Sequence, residues 1–181
     1  VIFHDDFSDQ TTGWAKVTSP YELKGYSAGR YLISVKTQNS RAWSVVDLPL
    51  SDTEIRVKTE KISGPEDTNF GIICRFRNED NFYSFLISSD GYYGIMKVEN
   101  GVEALLGSDQ FTYSEQINIG SALNQIEAIC SGTELSLSVN GQMLQTVKDT
   151  SFSTGKVGMI VETRAEGDAA IVFSDFSVIK R

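Results

Sequence analysis

His4 is the only histidine in the chain, and it lies at the start between Phe3 and Asp5. Acyl transfer by a serine or cysteine needs a base oriented beside the nucleophile, usually histidine, so the sequence offers a poor candidate for that chemistry. Retaining glycoside hydrolysis needs two carboxylates about 5 Å apart, one to attack and one to protonate the leaving group. The nearest acidic groupings, Asp52/Glu54 and Glu162/Glu166/Asp168, read as solvated strand ends and loop charges. One histidine and two cysteines in different predicted strands do not supply the tetrahedral ligand spacing of zinc. Asp5-Asp6-Phe7-Ser8-Asp9 brings three carboxylates together near the first predicted strand, oxygen donors of the kind calcium takes.

The elements that must carry these groups are strands. Five- to nine-residue runs rich in β-branched and aromatic residues are broken by turn dipeptides, and helical apolar spacing is hard to find. In Thr53-Glu54-Ile55-Arg56-Val57-Lys58 the alternation sends Ile55 and Val57 to one face and charges to the other, a strand with one wet side. Further strands are predicted at 2–7, 21–24, 30–36, 42–48, 70–77, 82–88, 92–98, 125–131, 134–139, 142–147, 156–163 and 170–178. The pattern predicts an all-β antiparallel sandwich of two sheets. No linker divides the 181 residues, so one domain over 1–181 is the expectation.

The net charge is −8 with no basic run, which argues against nucleic acid as a partner. No apolar stretch approaches the ~20 residues that cross a bilayer, so direct membrane insertion is not expected. A start at Val1, inside a strand-like run and without Met, leaves room for a removed leader or anchor.

Hairpin counting assigns faces. A four-residue loop at 78–81 pairs Cys74 with Phe85 and Arg75 with Ser84; a two-residue turn at Asp90-Gly91 pairs Phe85 with Met96 and Ser88 with Tyr93. The count sends Ile72, Cys74, Phe76, Tyr83, Phe85, Ile87, Met96 and Val98 inward. Its reverse face carries Arg75, Arg77, Phe82, Ser84, Leu86, Tyr93, Ile95 and Lys97. Counting around Gly132-Thr133 pairs Cys130 with Leu135 and turns Cys130 inward too. Cys74 and Cys130 then form either one disulfide, if their strands are neighbours, or two buried thiols; the disulfide would suit an oxidising compartment.

The runs FGIICRFRNEDNFYSFLISSDGYYGIMKVENG, IEAICSGTELSLSVNGQML and VGMIVET…IVFSDFSVIK, with an opening DDFSD…GW, resemble the concanavalin-A-like lectin/glucanase superfamily over nearly the whole chain. The likeness is to bacterial extracellular modules, including levan-binding and 3-keto-disaccharide-hydrolase-type domains. It implies a concanavalin-A-like jelly roll, and it speaks to fold more than to ligand. Laminarinase-type enzymes on this fold carry E-x-D-x-x-E along one strand, a run this sequence lacks. In such sandwiches the last strand commonly runs beside the first, which would bring Asp175 to Asp5, Asp6 and Asp9 as ligands of a structural calcium; the alternative is acids that face water.

The expectation is therefore a non-catalytic module of a secreted or cell-surface protein that binds an oligo- or polysaccharide. Aromatic rings stack on sugar C–H faces and cations bridge hydroxyls. Arg75, Arg77, Phe82, Ser84, Tyr93 and Lys97 supply both on the exposed sheet face, and Trp43 is added although the count does not fix its face. The alternatives are an extracellular sensor or adhesion domain with a protein partner, and a glycoside hydrolase with carboxylates from separate strands.

Overall fold

A computed structural model describes residues 1–181 and contains sixteen strands and no helix. One sheet runs β14 (Gln142–Lys148), β13 (Glu134–Val139), β12 (Asn124–Ser131), β6 (Thr53–Ser63), β16 (Ala169–Lys180), β4 (Arg30–Val35), β3 (Glu22–Ser27), β2 (Val17–Thr18), with β1 (Phe3–Asp5) also on β16. The other runs β10 (Val102–Leu106), β9 (Tyr92–Glu99), β8 (Asn81–Ser88), β7 (Asn69–Asn78), β15 (Gly155–Glu162), β5 (Arg41–Leu50), with β11 (Thr112–Tyr113) on β9. Every pairing is antiparallel.

Alternation fills the space between the sheets. Ile55, Val57, Ile126, Ala128, Leu135 and Leu137 from the first sheet meet Phe70, Ile72, Tyr83, Phe85 and Ile87 from the second in one core. Cys74 and Cys130 point into it from opposite sheets and are joined as a disulfide. The count around Gly132-Thr133 holds residue for residue: Cys130 opposes Leu135, and Ile126 opposes Val139.

Two other counts need correction. Asp90-Gly91 closes a three-residue loop, with Gly91 at φ 95 and its N–H donating to Ser88 O at 3.0 Å. Phe85 therefore opposes Ile95 rather than Met96. A slip of one residue reverses every side chain of a strand, so Tyr93 and Ile95 face the inter-sheet core while Met96 and Val98 lie on the outer face. On β7 the ladder runs to Cys74–Tyr83 and resumes at Asn78–Asn81. The intervening bulge puts Arg75 at φ 51 and turns it inward. Gly155 on β15 makes room, since a Cβ there would sit 2.3 Å from the Arg75 carbonyl carbon.

The second sheet is strongly curled. Its edge strands β5 and β10 lie five strand spacings apart, about 24 Å if flat. Nevertheless Arg41 on β5 donates to Glu103 on β10 at 2.6 Å. The outer face of this sheet is thus a trough, floored by a second apolar cluster of Ile73, Phe76, Phe82, Leu86, Met96, Val98 and Ile160.

Candidate functional site

The residues expected on one exposed face separate. Arg75 is 2 % exposed and spans the interior, donating to Ser51 O (3.1 Å), Phe152 O (2.8 Å) and the Asp52 carboxylate (3.4 Å). It is a clamp between loops, not a ligand contact. Tyr93 packs against the inter-sheet core and donates to Leu144 O. Lys97 faces the same side, bonded to Asp149, Ser151 and Glu99. Burial pushes Asp149 up, but bonds from Tyr83, the Ser151 N–H and Lys97 outweigh it and hold the carboxyl at about 2. Arg77 is exposed and lies 5.2 Å over the Phe152 ring. Phe82 and Ser84 do occupy the outer face, yet both are fully buried in the trough floor. Trp43 is half-buried beside that floor.

The expected calcium ligands do not converge either. The buried Asp5 carboxylate accepts from the Phe7 N–H, Thr12 and Trp14 Nε1, which commits three of its about four acceptor sites to the first loop. Asp6 and Asp9 cap the Ser8 and Thr11 N–H groups. Asp175 pairs with Lys58 and His4, and those two bonds hold its carboxyl below the usual range. No three carboxylates share a centre.

What the fold does assemble is a row of polar groups across the trough's rim. Glu162 opposes Arg41 on one side and Asn69 on the other, and Asn69 opposes Ser88. Alternation places them on the outer face, because the neighbouring row toward the floor is Trp43, Ile160, Gly71 and Leu86. Gly94 extends that row and leaves space for Phe111, whose nearest ring atom would lie 3.0 Å from a Cβ there. Phe111 carries Arg164 over its face at 4.7 Å. Arg41 lies over Phe82 at 5.2 Å while it reaches Glu103.

A cavity of about 510 Å³ opens among Asn69, Arg41, Glu103, Phe111, Glu162 and Arg164. Glu162 is only 8 % exposed, and its Oε1 has no hydrogen-bond partner. Burial, reinforced by the nearby Glu103 charge and only partly offset by Arg41 and Arg164, pushes its carboxyl up to about 7. Read in sequence as a solvated charge, Glu162 is instead a desolvated acid whose bare oxygen is buried at the cavity wall. Arg41, Asn69, Glu103, Phe111 and Arg164 were not singled out by sequence. The signal available was parity: Val157, Met159 and Val161 inward sends Ile160 and Glu162 outward.

No family model matches the sequence, and no curated protein matches it. Solved structures do. A carbohydrate binding module, CBM66, from Bacillus subtilis superposes with a TM-score of 0.74 at 15% identity, over 92% of this chain and 95% of that one. The GH43 protein BlXynB from Bacillus licheniformis gives 0.71 at 17% identity over 98% of this chain, which spans 39% of that one. A beta-glucanase of Bacillus licheniformis gives 0.71 at 11% identity, covering 99% and 98%. At these identities the likeness shows the fold, a concanavalin-A-like jelly-roll sandwich.

Proposed function

We propose that this chain is a non-catalytic carbohydrate-binding module of a secreted or cell-surface protein, and that it holds its glycan in the trough around Glu162. The observation that carries this reading is the unpartnered Glu162 oxygen, buried beside Arg164 in a cavity walled by Phe111. Sugar recognition asks for fixed donors and acceptors around an apolar wall, because hydroxyls must be paired while C–H faces are desolvated. Arg164 has no ion pair of its own, and its guanidinium lies 4.7 Å over the Phe111 ring, a fork of donors of the kind that can bridge two hydroxyls. The likeness to a carbohydrate binding module supports the class. The Cys74–Cys130 bond supports an oxidising compartment.

A glycan array followed by titration calorimetry tests it. Binding to a neutral glycan is expected, lost at least tenfold in Glu162→Ala and in Arg164→Ala, with Arg77→Ala unaffected. Binding that ignores both substitutions would refute the site. The hydrolase reading keeps one supporting observation, a buried acid near an ion-paired Glu103 in one trough. Turnover of a chromogenic glycoside, abolished in Glu162→Gln, would establish it.

A further inference from the structure

One ion pair ties the two edge strands of the curled sheet. Arg41 opens β5, Glu103 lies on β10, and their contact at 2.6 Å crosses the mouth of the trough. The same guanidinium lies over Phe82 and donates to Glu79 O at 3.5 Å. Glu162 opposes Arg41 directly in the β5–β15 ladder, and side chains so paired leave the sheet on one face with their Cβ atoms about 5 Å apart. All three residues line the central cavity. One guanidinium is thus shared out between two carboxylates.

Water treats these two acids differently. The Glu103 side chain is 53% exposed, on a strand paired along one side only. Glu162 is buried, and its Oε1 has no partner. A charge at Glu103 is hydrated when the guanidinium leaves it; a charge at Glu162 is not, and an unpaired buried charge is costly. While Glu162 keeps its proton, Glu103 holds Arg41 alone. Burial, and after it the Glu103 charge, keep that proton on Glu162. Coupling of this kind is reciprocal, so a charge on Glu162 pushes Glu103 away and draws Arg41 to itself. The other groups around Glu162 are uncharged: Asn69 on β7, Asn39 and Ser40 before β5, Thr163 and Phe111. Arg164 is the remaining cation; it acts on Glu162 less than Arg41 does, and Asp67 and Asp109 line the adjoining cavity with it.

We infer that Arg41 and Glu103 form a clasp over the Glu162 cavity and that ionisation of Glu162 releases it, so that β10 is tied to β5 in acid and freed in mild alkali. For a glycan in the trough the consequence is freer entry and exit above neutrality, and that consequence alone rests on the carbohydrate-binding reading.

Amide hydrogen exchange of β10, read by mass spectrometry on the intact chain at about pH 5.5 and about pH 8.5, tests the clasp. The quantity compared is protection of Val102–Leu106 in the unaltered chain divided by that in Glu103→Gln, because other effects of pH cancel in the ratio. It is expected to be about fivefold at the lower pH, the worth of one partly exposed ion pair, and to approach one at the higher. With Glu162→Gln in both proteins it should stay about fivefold throughout. A ratio of one at the lower pH would mean that no clasp exists. A ratio that ignores pH overturns the release by Glu162, and so does one that falls equally in the Glu162→Gln background. A ratio that ignores pH until Arg164→Gln is introduced assigns the new charge to Arg164 and overturns the release as well. None of these results touches the carbohydrate reading, which fails only if glycan affinity survives Glu162→Ala.

Discussion

Removing the ionisable group from the trough should stabilise the protein at alkaline pH. In the folded chain the Glu162 carboxyl sits at about 7 against an ordinary value of 4.5, with burial the main cause. The folded state therefore holds this proton more tightly than the unfolded state does. Stability from this group is fully present below about pH 4.5, falls as pH rises, and is gone above about 7. The loss across that window is about 3 kcal/mol. Glu162→Gln keeps the shape and cannot ionise. Urea unfolding of both proteins from pH 4 to pH 8 should show the variant's advantage growing by about 3 kcal/mol, or roughly 6 to 12 °C in midpoint temperature for a chain of this length. Other titrating groups cancel in the difference between the two proteins. Parallel curves, with a constant offset at every pH, would refute the claim that the carboxyl is desolvated and underpaired.

Two further outcomes follow from the interior. Cys74→Ala/Cys130→Ala opens a loop with a sequence separation of 56, for which loop closure gives about 4 kcal/mol; denaturant titration of the variant should show a loss of this size, and a loss below about 1 kcal/mol would refute the cross-link's weight. Arg75→Met leaves the carbonyls of Ser51 and Phe152 without their donor. At about 1–3 kcal/mol for each unpaired buried group, equilibrium unfolding should register a loss of about 3 kcal/mol, with glycan affinity unchanged; loss of affinity at normal stability would return Arg75 to the binding surface.

The sandwich and its core were legible because burial writes a period of two into the strands. Ile55 with Val57, and Ile126 with Ala128, are hydrophobic at alternate positions with charge or polarity between them. The inward pair Cys74 and Cys130 was legible for the same reason. Turn length was not legible. Asp-Gly suits a two-residue turn and equally a three-residue loop that uses the glycine's positive φ, and the sequence does not distinguish them. That single ambiguity moved Tyr93 and Lys97 from the outer face to the inner one. The bulge at Arg75 was hidden for another reason. The room for it is left by Gly155, eighty residues away on a neighbouring strand, which no local reading of β7 reaches.

The candidate site was the least legible part, and its physics explains why. A ligand pocket on an outer sheet face requires that some residues there look like core. Ile73, Leu86 and Ile160 are as buried as anything between the sheets, because curling draws Arg41 and Glu103 together over them. The outer face of β7 and β8 therefore shows no wet alternation, and apolar side chains on both faces read in sequence as a strand buried twice. Such strands in an antiparallel sheet, with no helix anywhere in the chain to cover them, imply that the sheet covers itself. A sheet that covers itself is concave, and the charged residues ending its strands, Arg41 on β5 and Glu162 on β15, then line the mouth. The doubly apolar strands, more than any exposed aromatic or cation, are the feature of the sequence from which the trough follows.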